Sequence, residues 1–423
     1  MSDEISSRFK AWFHNGGGRI HQHIDFKPVD SGLAVVSLKP LPKDLNIITC
    51  PLSLVVTPEL SRDALSSLGL NCAGLTEKQL ICTYLSMHWV LDETSHGSSK
   101  ASKENSSSGI PLHFRHGPYL SMMPDQSRLR TSLHFNPQEL DALKGSNLYA
   151  ATLDRLSDMQ ADWTACHAAV MAADASLAGN FTFDSYLMVS TYLASRAFPS
   201  SILSPNPTLV ASPSSYPVLL PGIDTLNHAR GQPVTWLVSY PDQIATASVR
   251  DPSVSLVLHA STQTGEELFN NYGPKPNSEF ILAYGFTLPG NPDDTIVLRI
   301  GGQGGTGKKW EVGRFAQGFD AVWEGVYTIF SSQANDEDVE PFANDLDSAN
   351  MLIDMLGTLL ERLPDGNNFA TGIRPDVQTM ISHYIEGQQS ILKAALQYCE
   401  KKREDALKVA NELGFDLSFD DDD

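Results

Sequence analysis

Strand-forming sequence lies on both sides of a long helix-forming stretch, so this chain has to close one β domain around a helical interruption. Leu33 to Leu38 and Leu45 to Ile48 are short apolar runs broken by Gly and Pro, after a short helix from Phe9 to His14. Val234 to Tyr240 and Val254 to His259 alternate in the manner of strands. Between them, Leu60 to Leu68, Thr76 to Asp92, Pro137 to Leu143, Leu148 to Leu177 and Phe183 to Arg196 place apolar residues at helical spacing, with Thr182 or Asp184 near the cap of the last. Ser95 to Gly109 and Ser200 to Pro217 have the composition of surface loops. Beyond Gly290 the texture changes, and Leu346 to Leu363 and Pro375 to Leu413 repeat as long helices. The chain is therefore expected to be α+β. Residues 1–70 and 183–300 form the two parts of the β domain, 71–182 the helical insertion, 311–415 a separate helical domain and 416–423 an acidic tail.

Composition narrows the chemistry. Fifty acidic residues against thirty basic ones give a formal charge of −20 over 423 residues. Direct nucleic-acid binding is disfavoured, because neutralising phosphates takes clustered Lys and Arg. Such a surface is ordinarily just solvated; its functional reading is attraction of a basic protein, such as a ribosomal protein or a histone. The run from Asp420 to Asp423 reads as a disordered tail. No stretch approaches the roughly 18 apolar residues of a membrane helix, and the N-terminus lacks the pattern of a signal peptide. A cytoplasmic or nuclear protein is expected.

The five cysteines are scattered without C-x-x-C spacing, which suggests neither a disulfide framework nor a zinc cluster. His14, His21 and His23 lack metal-ligand spacing, and no metal site is expected. His113, His116 and His134, near Pro118-Tyr119-Leu120, carry no assigned role. Gly302 to Lys308 fits a phosphate-loop pattern superficially, but Lys309 stands where the Mg²⁺-binding hydroxyl belongs. It reads as a glycine loop joining the β domain to the helical one.

Two segments remain, Asp224-Thr225-Leu226-Asn227-His228 and Gly265-Glu266-Glu267-Leu268-Phe269-Asn270-Asn271-Tyr272-Gly273, followed by Tyr284-Gly285-Phe286. An Asn-His pair that returns as Asn-Tyr-Gly, with a second Tyr after it, resembles the C-terminal half of a SET domain. Ordered matches extend from Trp12 to about Leu413 and include the Gly32-Leu33 turn, Leu143-Lys144-Gly145-Ser146 and Ser195-Arg196-Ala197-Phe198. The whole resembles the plant Rubisco large-subunit methyltransferase type, and fungal ribosomal-protein lysine methyltransferases in particular. The resemblance implies a split SET domain around a helical insertion, followed by a helical substrate-binding domain. It also implies S-adenosylmethionine as cofactor and a protein lysine as methyl acceptor.

Site residues follow from the same resemblance. Gly32 and Leu33 belong to a cofactor segment, Ser31-Gly32-Leu33-Ala34, in which Ala34 replaces the family's second Gly. Arg196, whose guanidinium suits a carboxylate, lies by resemblance beside the cofactor's amino-acid end. An internal salt bridge to Asp224 is the competing reading of Arg196, and both can hold. Asp224 belongs to the cofactor set. Asn227 would offer its side-chain oxygen to the ammonium, and the His228 backbone would hold the adenine edge. Tyr272 is the implied active-site tyrosine. Tyr284 and Phe286 would wall the lysine channel, although Phe286 reads equally well as plain core.

Relatives that methylate histidine carry Asn at the Phe198 position and lack the Tyr at 284, so Phe198 and Tyr284 favour lysine. A protein-histidine methyltransferase and a non-catalytic SET-derived scaffold stay as alternatives. The oligomeric state is not legible.

Overall fold

The structure is a computed structural model that describes residues 2–29, 32–97, 111–210, 212–240, 251–301, 307–333 and 340–415. Ser31, the Ser-rich stretch from residue 98, most of the glycine run (302–306) and the acidic tail 416–423 lie outside the described residues. Compactness divides the chain at other points than the sequence boundaries. One unit comprises residues 1–129 and 155–273, and the other 130–154 and 274–423.

In the first unit, helix Ser2–Asn15 buries Phe9 and Phe13, and Phe9 packs edge-on against Phe26 at 5.5 Å. A four-stranded antiparallel sheet runs in the order Arg19–Ile20, Leu45–Pro51, Ser253–Leu258, Val234–Ser239. Ser253–Leu258 is buried along its whole length, and its Ser255 hydroxyl meets the Thr49 hydroxyl of the neighbouring strand at 2.8 Å. A second sheet orders Ile24–Val29, Gly32–Ser37 and Glu267–Leu268. Pro28 sits in its edge strand, where a missing N–H costs least.

Helix Glu77–Gly97 of the insertion and helix Phe183–Arg196 after it join this same core. Leu80, Tyr84 and Leu85 of helix Glu77–Gly97 and Tyr186, Val189 and Leu193 of helix Phe183–Arg196 share it with the sheet residues Ile48, Val254 and Leu256. Thr182 caps the second of these helices by accepting from the Ser185 N–H at 3.2 Å. Two expectations need correction here. Helix Glu77–Gly97 continues through Ser95, where a loop was expected to begin. The expected helix from Leu148 to Leu177 is two helices, Asn147–Ala173 and Ala175–Asn180, because Asp174 turns its carboxylate onto the Ser176 N–H at 2.7 Å and starts a new one.

The second unit contains an antiparallel hairpin, Thr295–Ile300 with Lys308–Gly313, whose Ile296, Leu298, Ile300 and Val312 face the core. The glycine run therefore links two paired strands, Ile300 opposite Lys308, and not two domains. Helices Phe319–Gln333, Pro341–Arg362 and Pro375–Glu412 complete this core with Val322, Trp323, Leu352 and Ile391. Residues 130–154 are tied in by Glu139, fully buried, which accepts from Arg374 Nε and Nη2, each at 2.7 Å. No helix among the described residues is long and apolar enough to cross a membrane.

Candidate active site

The two diagnostic segments lie side by side in the first unit. The Asn270 N–H donates to the Asn227 carbonyl at 2.8 Å, and the Ala229 N–H donates to the Asn270 carbonyl at 3.0 Å. His228 and Asn270 thus form an isolated parallel bridge. It brings the Tyr272 N–H to His228 Nδ1 at 3.1 Å and stacks the two rings 5.1 Å apart. Since Nδ1 accepts, a neutral His228 ring carries its proton on Nε2. The Tyr272 phenol donates to the Leu226 carbonyl at 2.8 Å, which fixes where its oxygen lone pairs lie.

Asn227 reaches a third segment. Its Nδ2 donates to the Leu33 carbonyl at 3.2 Å and to Glu267 Oε1 at 2.7 Å. Both partners are pure acceptors, so the amide nitrogen must face them and Oδ1 is the side chain's remaining acceptor. Gly32, at the start of the strand that holds Leu33, has φ of 137°, a conformation that a residue with a Cβ rarely adopts. Ala34 lies in regular pairing opposite Lys27 and is absent from the positive-φ positions, so the strand does not need a second Gly there.

Arg196 is the last residue of helix Phe183–Arg196, and its Nη1 donates to the main-chain carbonyl of Asp224 at 2.7 Å. The Asp224 carboxylate instead accepts from the Tyr119 phenol through Oδ2. Asp224 is 4% exposed. Burial pushes its carboxyl up to about 7, against the opposing pull of the Arg196 charge and the Tyr119 hydrogen bond. Burial and the neighbouring Asp224 likewise hold the Tyr119 phenol and the Cys50 thiol well above their ordinary values.

Arg196 Nε, Asp224 Oδ1 and Asn270 Nδ2 are buried here and lack a hydrogen-bond partner among the described residues. A buried donor or acceptor left unpaired is costly. An ammonium-carboxylate zwitterion supplies the complement of such atoms, so the residues fit the amino-acid end of S-adenosylmethionine.

Leu33, Asn227, His228 and Tyr272 are thus linked to one another, and Arg196 to Asp224. Phe198 begins the short strand Phe198–Pro199, paired with Pro217–Val218, and belongs to the first unit's core. Tyr284 and Phe286 belong to the second unit, where Tyr284 ends a five-residue π-helical turn, Phe280–Tyr284. Gly285 follows in the left-handed region, and a Cβ there would lie 3.0 Å from the Arg130 and Thr131 backbone. Phe286 packs 4.6 Å from Phe280, and Lys275 Nζ lies 5.6 Å from the centre of the Tyr284 ring. Burial and Glu279 raise the Tyr284 phenol above its ordinary value.

Sequence reasoning missed Glu267 and Tyr119. Glu267 lies within the Gly265-to-Gly273 segment, where no local pattern singles it out. Tyr119 offered no local signal, because its partner is 105 positions away.

No family profile matches the chain. Ribosomal lysine N-methyltransferase set10 of Schizosaccharomyces pombe is 28% identical over 290 residues, covering 67% of this chain and 46% of its own. Ribosomal lysine N-methyltransferase 1 of Saccharomyces cerevisiae is 27% identical over 222 residues, covering 43% of this chain and 34% of its own. The chain spans less than half the length of these two relatives. They are of the type that the sequence motifs point to. Among solved structures, the SET domain of LSMT bound to lysine and AdoHcy superposes with a TM-score of 0.70 at 17% identity, covering 99% of this chain and 97% of that one. The chain has the α+β fold of that SET-domain protein.

Proposed function

We propose that this chain is an S-adenosylmethionine-dependent protein-lysine N-methyltransferase acting on a non-histone protein, with a basic ribosomal protein as the favoured substrate class. One observation carries the reading: Leu33, Asn227, His228 and Tyr272, from three distant segments, are locked together by hydrogen bonds. The two ribosomal lysine methyltransferases among the relatives and the acidic balance of −20 support the substrate class.

When bound, S-adenosylmethionine supplies a methyl group made electrophilic by its sulfonium. Arg196 would hold the carboxylate end, while Asp224 and the Asn227 Oδ1 would receive the ammonium. The His228 backbone supports the adenine edge. Tyr272, its O–H committed to Leu226, presents lone pairs that orient the lysine amine and receive weak C–H···O contacts. Phe198, in the same unit as Tyr272, would line the lysine channel. An apolar channel favours the neutral amine over the ammonium, whose pKa in water is about 10.4. A lysine amine held there would take that methyl as the sulfonium's C–S bond breaks, with the bond's electron pair left on sulfur. The displaced amine proton leaves to solvent.

Transfer of labelled methyl into ribosome-enriched extract tests the reading, with wild type beside Tyr272→Phe. The expected result is a labelled basic protein whose signal drops about 100-fold in the variant, the scale of losing one organising hydrogen-bonding group in an active site. Label found on histidine would move the activity to the histidine alternative, and no label despite cofactor binding would favour the scaffold.

A further inference from the structure

Tyr119 comes from the short helical turn Gly117–Leu120 of the insertion, where it is buried. His116 precedes that turn and accepts the Leu120 N–H at 2.9 Å. Its ring is fixed at both nitrogens: Nε2 donates to the Leu54 carbonyl at 3.1 Å, and Nδ1 accepts from the Tyr84 phenol at 2.6 Å. Trp12 packs edge-on against the same ring at 5.6 Å. From this frame the Tyr119 phenol, 1% exposed, reaches Asp224 Oδ2. The other carboxylate oxygen, Oδ1, is buried with no side-chain or main-chain hydrogen-bond partner among the described residues.

We propose that Tyr119 is a positioning residue that keeps the Asp224 carboxylate charged and aimed, so that the ammonium of the cofactor's amino-acid end is bound as an ion pair. This rests on the cofactor reading above and deepens it by making binding depend on one proton.

Three side chains act on Asp224 from the elements packed around it, beside the backbone N–H groups of Asp224 and Gly222, which also favour its charge. Arg196, at the end of helix Phe183–Arg196, favours the charged form through its own charge, and Tyr119 does so by hydrogen bonding. Cys50, on strand Leu45–Pro51, is a neutral thiol because burial holds its pKa far up. Against the first two stands burial, which leaves the carboxyl balanced at about 7. Removing the phenol O–H removes the side-chain hydrogen bond that favours the charge, leaving Arg196 and the backbone N–H groups of Asp224 and Gly222 against burial. The ammonium then has to pair with a carboxyl that is protonated at neutral pH.

The test is the dissociation constant of S-adenosylhomocysteine from about pH 6 to about pH 8.5, a range in which the ligand's amine stays charged. For the wild type, binding should tighten roughly tenfold between pH 6 and 8 as Asp224 ionises. In Tyr119→Phe the same rise should be displaced upward by about one to two pH units, the scale of one hydrogen bond to a charged group. Asp224→Asn should bind weakly with no such rise. A Tyr119→Phe protein whose affinity loss is equal at every pH would show a structural role alone and overturn the proposal.

Should that variant fail to fold, proton release by the wild type decides. Calorimetry in two buffers of different ionisation enthalpy should find release approaching one proton at about pH 6 and little at about pH 8.5. Binding without release overturns the proposal while leaving the cofactor reading intact. Absence of binding at any pH removes both.

Discussion

Arg196 is anchored on the main-chain carbonyl of Asp224, 2.7 Å from its Nη1, and not on that residue's carboxylate. The distinction matters electrostatically. A guanidinium held by a neutral oxygen leaves both carboxylate oxygens of Asp224 to other partners, Oδ2 to the Tyr119 phenol, while its charge still favours the ionised carboxylate.

Asp224 should make stability depend on pH with a definite sign. Its folded value of about 7 lies above the ordinary 3.8, so the folded chain holds a proton that the unfolded chain has released. That contribution is complete below about pH 4 and is lost as pH rises through 7. Asp224→Asn lacks the dependence. Urea unfolding from about pH 5 to 8 should show the variant gaining on the wild type by a few kcal/mol, on the order of 3 at most. A constant gap across the range would contradict the burial argument.

Asn227→Ala removes both donors that tie Leu33 and Glu267 together. The stability cost should be about 1–2 kcal/mol. Affinity for S-adenosylhomocysteine should fall at least about tenfold, the equivalent of one hydrogen bond to a charged group. Stability lost with affinity unchanged would make Asn227 a strut and no more.

Glu139 and Arg374 should be worth more when broken than when replaced. Arg374→Met strands a fully buried carboxylate and should cost about 3–5 kcal/mol in urea unfolding. Adding Glu139→Leu removes the stranded charge and should recover most of this. A deficit of about 1–2 kcal/mol should remain, because Glu139 also accepts the Asn136 N–H in the cap of helix Pro137–Asp141.

Phe315 is held at φ 58° and ψ 30° with its ring 89% exposed. The left-handed conformation costs a side-chain-bearing residue about 1–2 kcal/mol, and an exposed ring returns little of that through burial. Phe315→Gly should therefore stabilise the second unit by about 0.5–1 kcal/mol, after allowing for glycine's freer unfolded chain. Thermal melts of the two proteins measure it; a loss of stability would mean the ring is packed in solution.

Much of this was readable in the sequence where local signals agree. Helix Phe183–Arg196 has the predicted ends because Thr182 caps one and Pro199 follows closely on the other. The hairpin Thr295–Ile300 was missed although Ile296, Leu298 and Ile300 alternate cleanly, because the glycine run after it suggested a domain linker. Helix Phe319–Gln333 was missed too, with Phe319, Val322, Trp323 and Val326 at plain helical spacing. Tyr119 and Glu139 belong to another class. Their importance is created by partners 105 and 235 positions away, and no window along the chain contains both ends.

The path of the chain between its two units sets an order of events during synthesis. Residues 130–154 leave the ribosome early yet belong to a unit whose remainder begins at 274, and Glu139 waits 235 residues for Arg374. Until then a carboxylate destined for full burial has no cation, and the second unit cannot close. The second unit is therefore incomplete until Arg374 has been made, and no single cut within these residues yields two fragments that each hold one whole unit.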